Sequence, residues 1–314
     1  MNYLIEHWSF HPFLVVALVL AAAHEIGLSR LTRRSGPGQT RQRRLRSLFF
    51  YSGLAVLLIA VQSPIDYWSE KYFFVHMLQH LLLMFAAPTL VVAGAPWQPL
   101  RAALDGWLPS RGAGPASWRT VARPVRAAVA FLLRPWISVA LFSIVMVFWH
   151  IPPLLDLEVR STAVREGLMQ STFFLAGVIF WLQFIPSPPF QRRMPLVSQA
   201  AALVLTNVAM WVLAMSMSIV SQTSWYSVYN HVPGVGLPPF ADQEIGAAIL
   251  WVCGDFWAIP SLVYVMRCLI TEDGSVAAAV EQILRRGSAG RGWASGRPVT
   301  PGPVQSPLPP STEP

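Results

Sequence analysis

His76 and His80 stand four residues apart in the apolar run YFFVHMLQHLLLMFAAPTLVVAG (72–94), with Met77 and Gln79 between them. On a helix, positions i and i+4 share one face, one turn apart. The run is long enough to cross a bilayer, and two imidazoles inside lipid are expensive without a use or a partner. Neutral imidazole suits copper, zinc, iron and nickel, and a thioether suits Cu(I). The pair alone is a weak motif, because it lacks the glutamate that HExxH supplies as base in a metalloprotease. Joined by a third imidazole from another helix, it is a sound way to hold a metal. The competing reading is structural, with the rings hydrogen-bonded across helices and to interfacial water.

Further ligand candidates follow from the remaining polar and sulfur side chains. His150 closes another apolar run, and His7 and His11 open the first one. His231 falls in a loop, while His24 stands beside Glu25. Met77 and Met146 offer thioethers in the same region. Haem is a rival ligand, but one helix cannot give both axial ligands through i and i+4, because those side chains point the same way. Asp255 is a carboxylate inside the last apolar run, two residues after Cys253. An intramembrane carboxylate is a functional candidate by default, although a hydrogen-bonded structural Asp fits the same position. Cys253 reads as a soft ligand or as packing. The other cysteine, Cys268, lies 15 residues further on, roughly 22 Å at helical rise, so the two cannot pair.

The elements that must position these residues are membrane spans. Hydrophobic residues make up 54% of the 314-residue chain and charged residues only 12%, roughly half the charge of a soluble domain. The expected fold is all-α, a polytopic bundle with seven spans at about 11–28, 48–62, 72–94, 136–151, 164–185, 194–220 and 244–270. Pro88 is expected to kink the third. The net charge of +8 comes from arginines in short loops, so it does not point to nucleic acid. Twenty of the 23 Lys and Arg residues fall on one side of this arrangement. Only Lys71, Arg160 and Arg165 fall on the other. That asymmetry places the N-terminus outside and the C-terminus in the cytoplasm. His7, His11, His76, His80, His150 and His231 then share the outer side or leaflet, and Arg192 and Arg193 an inner loop. The loop 63–71, with Asp66 and Glu70, and the loop with Asp156 and Glu158 lie outside. The stretch from Trp118 to Leu133 reads as a basic amphipathic surface helix or as a solvated loop. Residues 271–314 read as a largely disordered cytoplasmic tail. No Walker, Rossmann or nucleophile-elbow motif is found, so no catalytic residue is assigned.

Four stretches in order carry a family resemblance. VHMLQHLLLMFAAPTLVVAGAPWQPL (75–100) resembles the HMxQHxLLM…P…GAP signature of the CtaG family, the assembly factors of caa-type cytochrome c oxidase. RPWISVALFSIVMVFWHIPPLLD (134–156) is similar to its WHxPPLYD stretch. FFLAGVIFW (173–181) and LPPFADQEIGAAILWV (237–252), the latter similar to PLADQQLAGLxMW, complete the set. The resemblance implies a multi-pass protein of the bacterial inner membrane that serves maturation of a haem-copper oxidase, with oxidase subunits and the bilayer as partners. It carries His76, His80, Trp149, His150, Pro152, Pro153, Asp242 and Gln243 over by position. Copper handling is one role it implies. Met169-Gln170 stands where the family has Glu-His, so Met169 is the residue that could replace a histidine ligand. Cys253 and Asp255 depart from the family's Pro and Gly there.

The expectation is a non-enzymatic assembly factor with an outer-leaflet copper site built from His76, His80, His150 and His11, with Met77 and Met169 as added sulfur ligands. Asp242, Gln243, Asp255 and Cys253 are the other functional candidates. The alternatives are a metal-free scaffold for a nascent oxidase subunit and an integral haem protein.

Overall fold

The computed structural model describes residues 7–33, 36–105, 116–190, 194–230 and 236–272, with backbone alone at 116–122, 253 and 269–272. The arrangement below concerns the unit Met1–Met266; of the second unit, Arg267–Pro314, only the helical residues to Glu272 are described. His231, Arg192, Arg193 and the tail from 273 onward lie outside the described residues.

Among the described residues the chain is helical, with no strand. The helices are α1 (Phe13–Thr32), α2 (Pro37–Gln62), α3 (Pro64–Ser69), α4 (Phe73–Gly94), α5 (Trp97–Leu104), α6 (Ala116–Leu132) and α7 (Pro135–Trp149). There follow α8 (Pro152–Arg160), α9 (162–181), α10 (Leu196–Val220) and α11 (Pro239–Glu272). Prolines open α2, α3, α7 and α8. They fit there because the first amides of a helix have no intrahelical acceptor to lose.

Among the described residues, five helices are long and apolar enough to cross a membrane: α1, α2, α4, α10 and Pro239–Cys268 of α11. The two remaining expected spans look different. The stretch 136–151 becomes a 15-residue helix that meets residues Arg123–Leu132 at an 80° bend. The stretch 164–185 opens with a π-turn at Arg165–Met169 that holds a buried arginine, leaving only 12 α-helical residues after it. Other boundaries also move. The arginine-rich stretch before 48 is not a loop but the first part of α2, and the loop 63–71 holds α3. The last helix starts at Pro239 rather than 244, which puts Asp242 and Gln243 inside its first turns.

Helix α4 is the central element, packed on one side by α2 and on the other by α9. Small residues set both contacts, as is common where helices meet in lipid. A Cβ on Gly53 would stand 2.8 Å from the Val91 backbone nitrogen, so α2 sits directly on α4. On the other face, a Cβ on Gly177 would stand 2.5 Å from the Met84 carbonyl oxygen. Pro88, four residues after Met84, has no N–H to give that carbonyl. The helix passes through a π-turn at Leu82–Ala86, which ends two residues before the proline.

Candidate functional site

The N-terminal half of α4 presents His76, Met77, Gln79 and His80, all buried. The i, i+4 relation holds: the rings of His76 and His80 are 4.2 Å apart between centroids. His150, at the C-terminus of α7, brings a third imidazole 5.3 Å from His80. The Pro152-Pro153 sequence stops α7 here, and the His150 ring folds back so that Nδ1 lies 2.6 Å from the Met146 carbonyl oxygen. Its Nε2 is 3.3 Å from the Met77 sulfur. The other face of His80 stacks on Phe173 of α9, centroids 4.3 Å apart.

Glu158 of α8 joins the cluster from above. Its Oε1 is 3.1 Å from His76 Nε2, and both side chains are almost wholly enclosed. The contact is close but poorly aligned. Both ring nitrogens of His76, both of His80 and both Glu158 oxygens lack a hydrogen-bond partner. Burial pushes the Glu158 carboxyl up to about 8, against the opposing pull of the Arg165 guanidinium. Tyr229, whose hydroxyl donates to the Ser69 carbonyl at 2.8 Å, borders His76 at 6.5 Å between ring centroids. Burial, then the Glu158 charge, moves its phenol well up as well.

Beside the histidines lies a second polar group. The Gln79 amide donates to Asp66 Oδ1 at 2.8 Å and to the Ala60 carbonyl at 2.9 Å. Gln170 donates to the same Asp66 oxygen at 3.1 Å. Arg165 faces it from 3.8 Å and also pairs with Glu70. So Gln170, at the position where the resemblance suggests a histidine, anchors Asp66, while Met169 is fully buried.

The remaining candidates separate from the trio. His11 Nε2 faces Glu166 at 3.4 Å and its Nδ1 accepts the Phe13 amide at 3.0 Å, so its partners differ from those of His76, His80 and His150. The Asp242 carboxylate accepts the amides of Phe73 at 2.7 Å and Phe74 at 3.0 Å, capping α4 from another part of the chain. Gln243 donates to the Met217 carbonyl and accepts the Trp225 amide, both at 2.7 Å, tying the segment after α10 to α11. Asp255 accepts from Asn207 at 2.7 Å and Trp211 at 3.0 Å, a structural anchor between α10 and α11. The Cys253 side chain lies outside the described residues.

Glu158, Asp66, Gln79 and Arg165 are site residues that sequence reasoning left in loops or passed over. One signal was present for Glu158: on α8 it stands three residues after the buried Leu155, so the two share a face. Chemically, the cluster gathers three buried imidazoles, with a thioether against His150 and a carboxyl group against His76. Among the described residues, no three His, Cys, Asp or Glu side chains are placed to hold a metal ion.

Comparison with known proteins adds the following. The family model described as cytochrome c oxidase caa3 assembly factor (Caa3_CtaG) matches residues 22–272. An uncharacterised protein of Mycobacterium leprae is 28% identical over 279 residues, covering 86% of this chain and 40% of that protein. Another, from Mycobacterium bovis, is 25% identical over 272 residues with the same coverage. The chain thus spans about 40% of the length of these curated relatives. No solved structure matches.

Proposed function

The chain belongs to the cytochrome c oxidase caa3 assembly factor family, and from that premise we propose that it presents copper to an apo-oxidase subunit at the outer membrane face. The observation that carries the reading is the convergence of His76, His80 and His150, with both His80 ring nitrogens lacking a hydrogen-bond partner and the Met77 sulfur against His150. Each unmet buried polar group costs about 1–3 kcal/mol, so the empty arrangement favours a guest that takes nitrogen and sulfur donors. Cu(I) is such a guest. A small set of exchangeable His and Met donors suits it as cargo. His11 and Met169 are supporting positions in this reading rather than ligands. The excess of arginine on one side supports seven spans with the N-terminus and the histidines outside, in a bacterial inner membrane.

The test is metal analysis of the purified protein loaded with Cu(I) under reducing conditions, beside the His76→Ala/His80→Ala variant. Near-stoichiometric copper in the parent and its loss in the variant is the expected result. Equal, low copper in both overturns copper delivery and selects the second reading, a metal-free scaffold for a nascent subunit. That no three His, Cys, Asp or Glu side chains are placed to hold a metal ion among the described residues favours that alternative.

A further inference from the structure

Between Asp105 and Asp156 the sequence contains no acidic residue, yet it holds Arg111, Arg119, Arg123, Arg126 and Arg134. Helix α6 lies in this stretch, and every residue from Arg123 to Phe131 is exposed. Val125, Val129 and Leu132 share one face, at i, i+4 and i+7. Arg123 and Arg126 share another, roughly 120° away at about 100° per residue. Val125 is 56% exposed and Val129 46%, so the apolar face is as uncovered as the basic one. Among the described residues the ion pairs lie elsewhere, on His11, His76 and Arg165.

The orientation of α6 is set at its C-terminal end. Residues Arg123–Leu132 meet α7 at an 80° bend. The corner is held from inside: Leu133 is buried, and its carbonyl accepts the Gln183 amide at 3.3 Å. Helix α7 exposes Ile144, Val147 and Phe148, as a lipid-facing helix does. With α7 crossing the bilayer, a helix at 80° to it lies close to the membrane plane. The 15 residues of α7 rise roughly 22 Å, short of the ~30 Å hydrocarbon core. The shortfall matches the roughly 5–10 Å to which an interfacial amphipathic helix sinks.

We propose that α6 binds the membrane surface opposite His150, with Val125, Val129 and Leu132 among the acyl chains and Arg123 and Arg126 on the headgroups of anionic phospholipids. The charge is complementary, because neither α6 nor its sequence neighbours bring a carboxylate to compete for the arginines. The proposal rests on α7 crossing the membrane and is independent of copper at the histidines.

The experiment places the full chain in nanodiscs with two photoactivatable lipids of identical chains, a phosphatidylglycerol and a phosphatidylcholine. Phosphatidylglycerol should label residues 123–132 about tenfold more than phosphatidylcholine, with the adducts on Val125, Val129 and Leu132. Arg123→Gln/Arg126→Gln should abolish the excess, at about fivefold lost per arginine. Arg123→Lys/Arg126→Lys should keep it, which separates lost charge from a misplaced helix. Both probes should label Ile144, Val147 and Phe148 alike. If those residues stay unlabelled, α7 does not cross the lipid and the proposal falls with that topology. If they are labelled while 123–132 is not, α6 stands clear of the bilayer, its faces are left to a protein partner, and the proposal alone is overturned. Equal labelling of 123–132 by the two probes, or an excess that survives Arg123→Gln/Arg126→Gln, overturns the recognition of anionic lipid.

Discussion

Asp242 caps Phe73 across 169 residues of sequence, its carboxylate accepting the Phe73 amide at 2.7 Å. The same group accepts the Phe74 amide at 3.0 Å. The start of the last helix thereby fixes the start of the histidine helix, three residues before His76. This is an N-cap supplied by a distant side chain, with a negative charge at the positive end of the helix.

Removing the cap should loosen the site without touching a ligand. Asp242→Ala should lose about 1–2 kcal/mol of stability, the scale of a lost N-cap, and Asp242→Asn should lose less. Thermal unfolding of the two variants in one detergent measures this. Equal stability of Asp242→Ala and the parent would mean that the cap does not hold α4.

Glu158 gives a pH dependence with a definite sign. Its carboxyl is pushed up to about 8 by burial, from an ordinary value near 4.5. Between those values the folded chain holds a proton that the unfolded chain has released, so stability falls as pH rises through this window. Glu158→Gln imitates the neutral carboxyl and lacks this dependence. For metal-free protein, unfolding profiles of parent and variant should therefore diverge from pH 5 to pH 8, the variant gaining relative stability. Parallel profiles would show that Glu158 is ionised throughout.

The histidine cluster was legible because it rests on local periodicity. His76 and His80 share a face by spacing alone, and His150 is marked by the proline pair that ends its helix. The partners of those rings were not legible. Glu158 reaches His76 through the packing of the short helix α8, and Asp242 reaches Phe73 through a tertiary contact that leaves no spacing signal. The hydropathy reading matches five long apolar helices among the described residues, but not the interruptions of the chain between and within them. The π-turns at Leu82–Ala86 and Arg165–Met169 arise where Pro88 and the buried Arg165 disturb the ladder, and hydropathy is blind to both. Asp255 drew attention as an intramembrane charge, yet its carboxylate serves Asn207 and Trp211.

Helix α4 ends on a conflict between neighbouring residues. Ala95 adopts a left-handed backbone, φ 46°, a conformation suited to glycine. The adjacent glycine is needed for another purpose, since a Cβ on Gly94 would lie 2.6 Å from the Phe50 nitrogen. Ala95→Gly should therefore stabilise the protein by about 0.5–1 kcal/mol. Gly94→Ala should destabilise it by about 1–3 kcal/mol through overpacking. Thermal unfolding of both variants checks the opposite signs, and a shift in the same direction would refute the assignment of roles.

Met77 separates a ligand from filler. Its sulfur lies 3.3 Å from His150 Nε2 inside a fully buried contact. Met77→Leu preserves volume, a change that usually costs under about 1.5 kcal/mol, so folding should survive. If the thioether helps to hold Cu(I), affinity measured by competition with a coloured Cu(I) chelator should fall about tenfold, equivalent to roughly 1.4 kcal/mol. The unfolding temperature of the metal-free protein should barely move. Unchanged affinity in Met77→Leu, alongside loss in His76→Ala/His80→Ala, would confine the ligand set to imidazoles. A harder, all-nitrogen set favours metals other than Cu(I) as much as Cu(I) itself, so this substitution tests the identity of the cargo as well as the role of the sulfur.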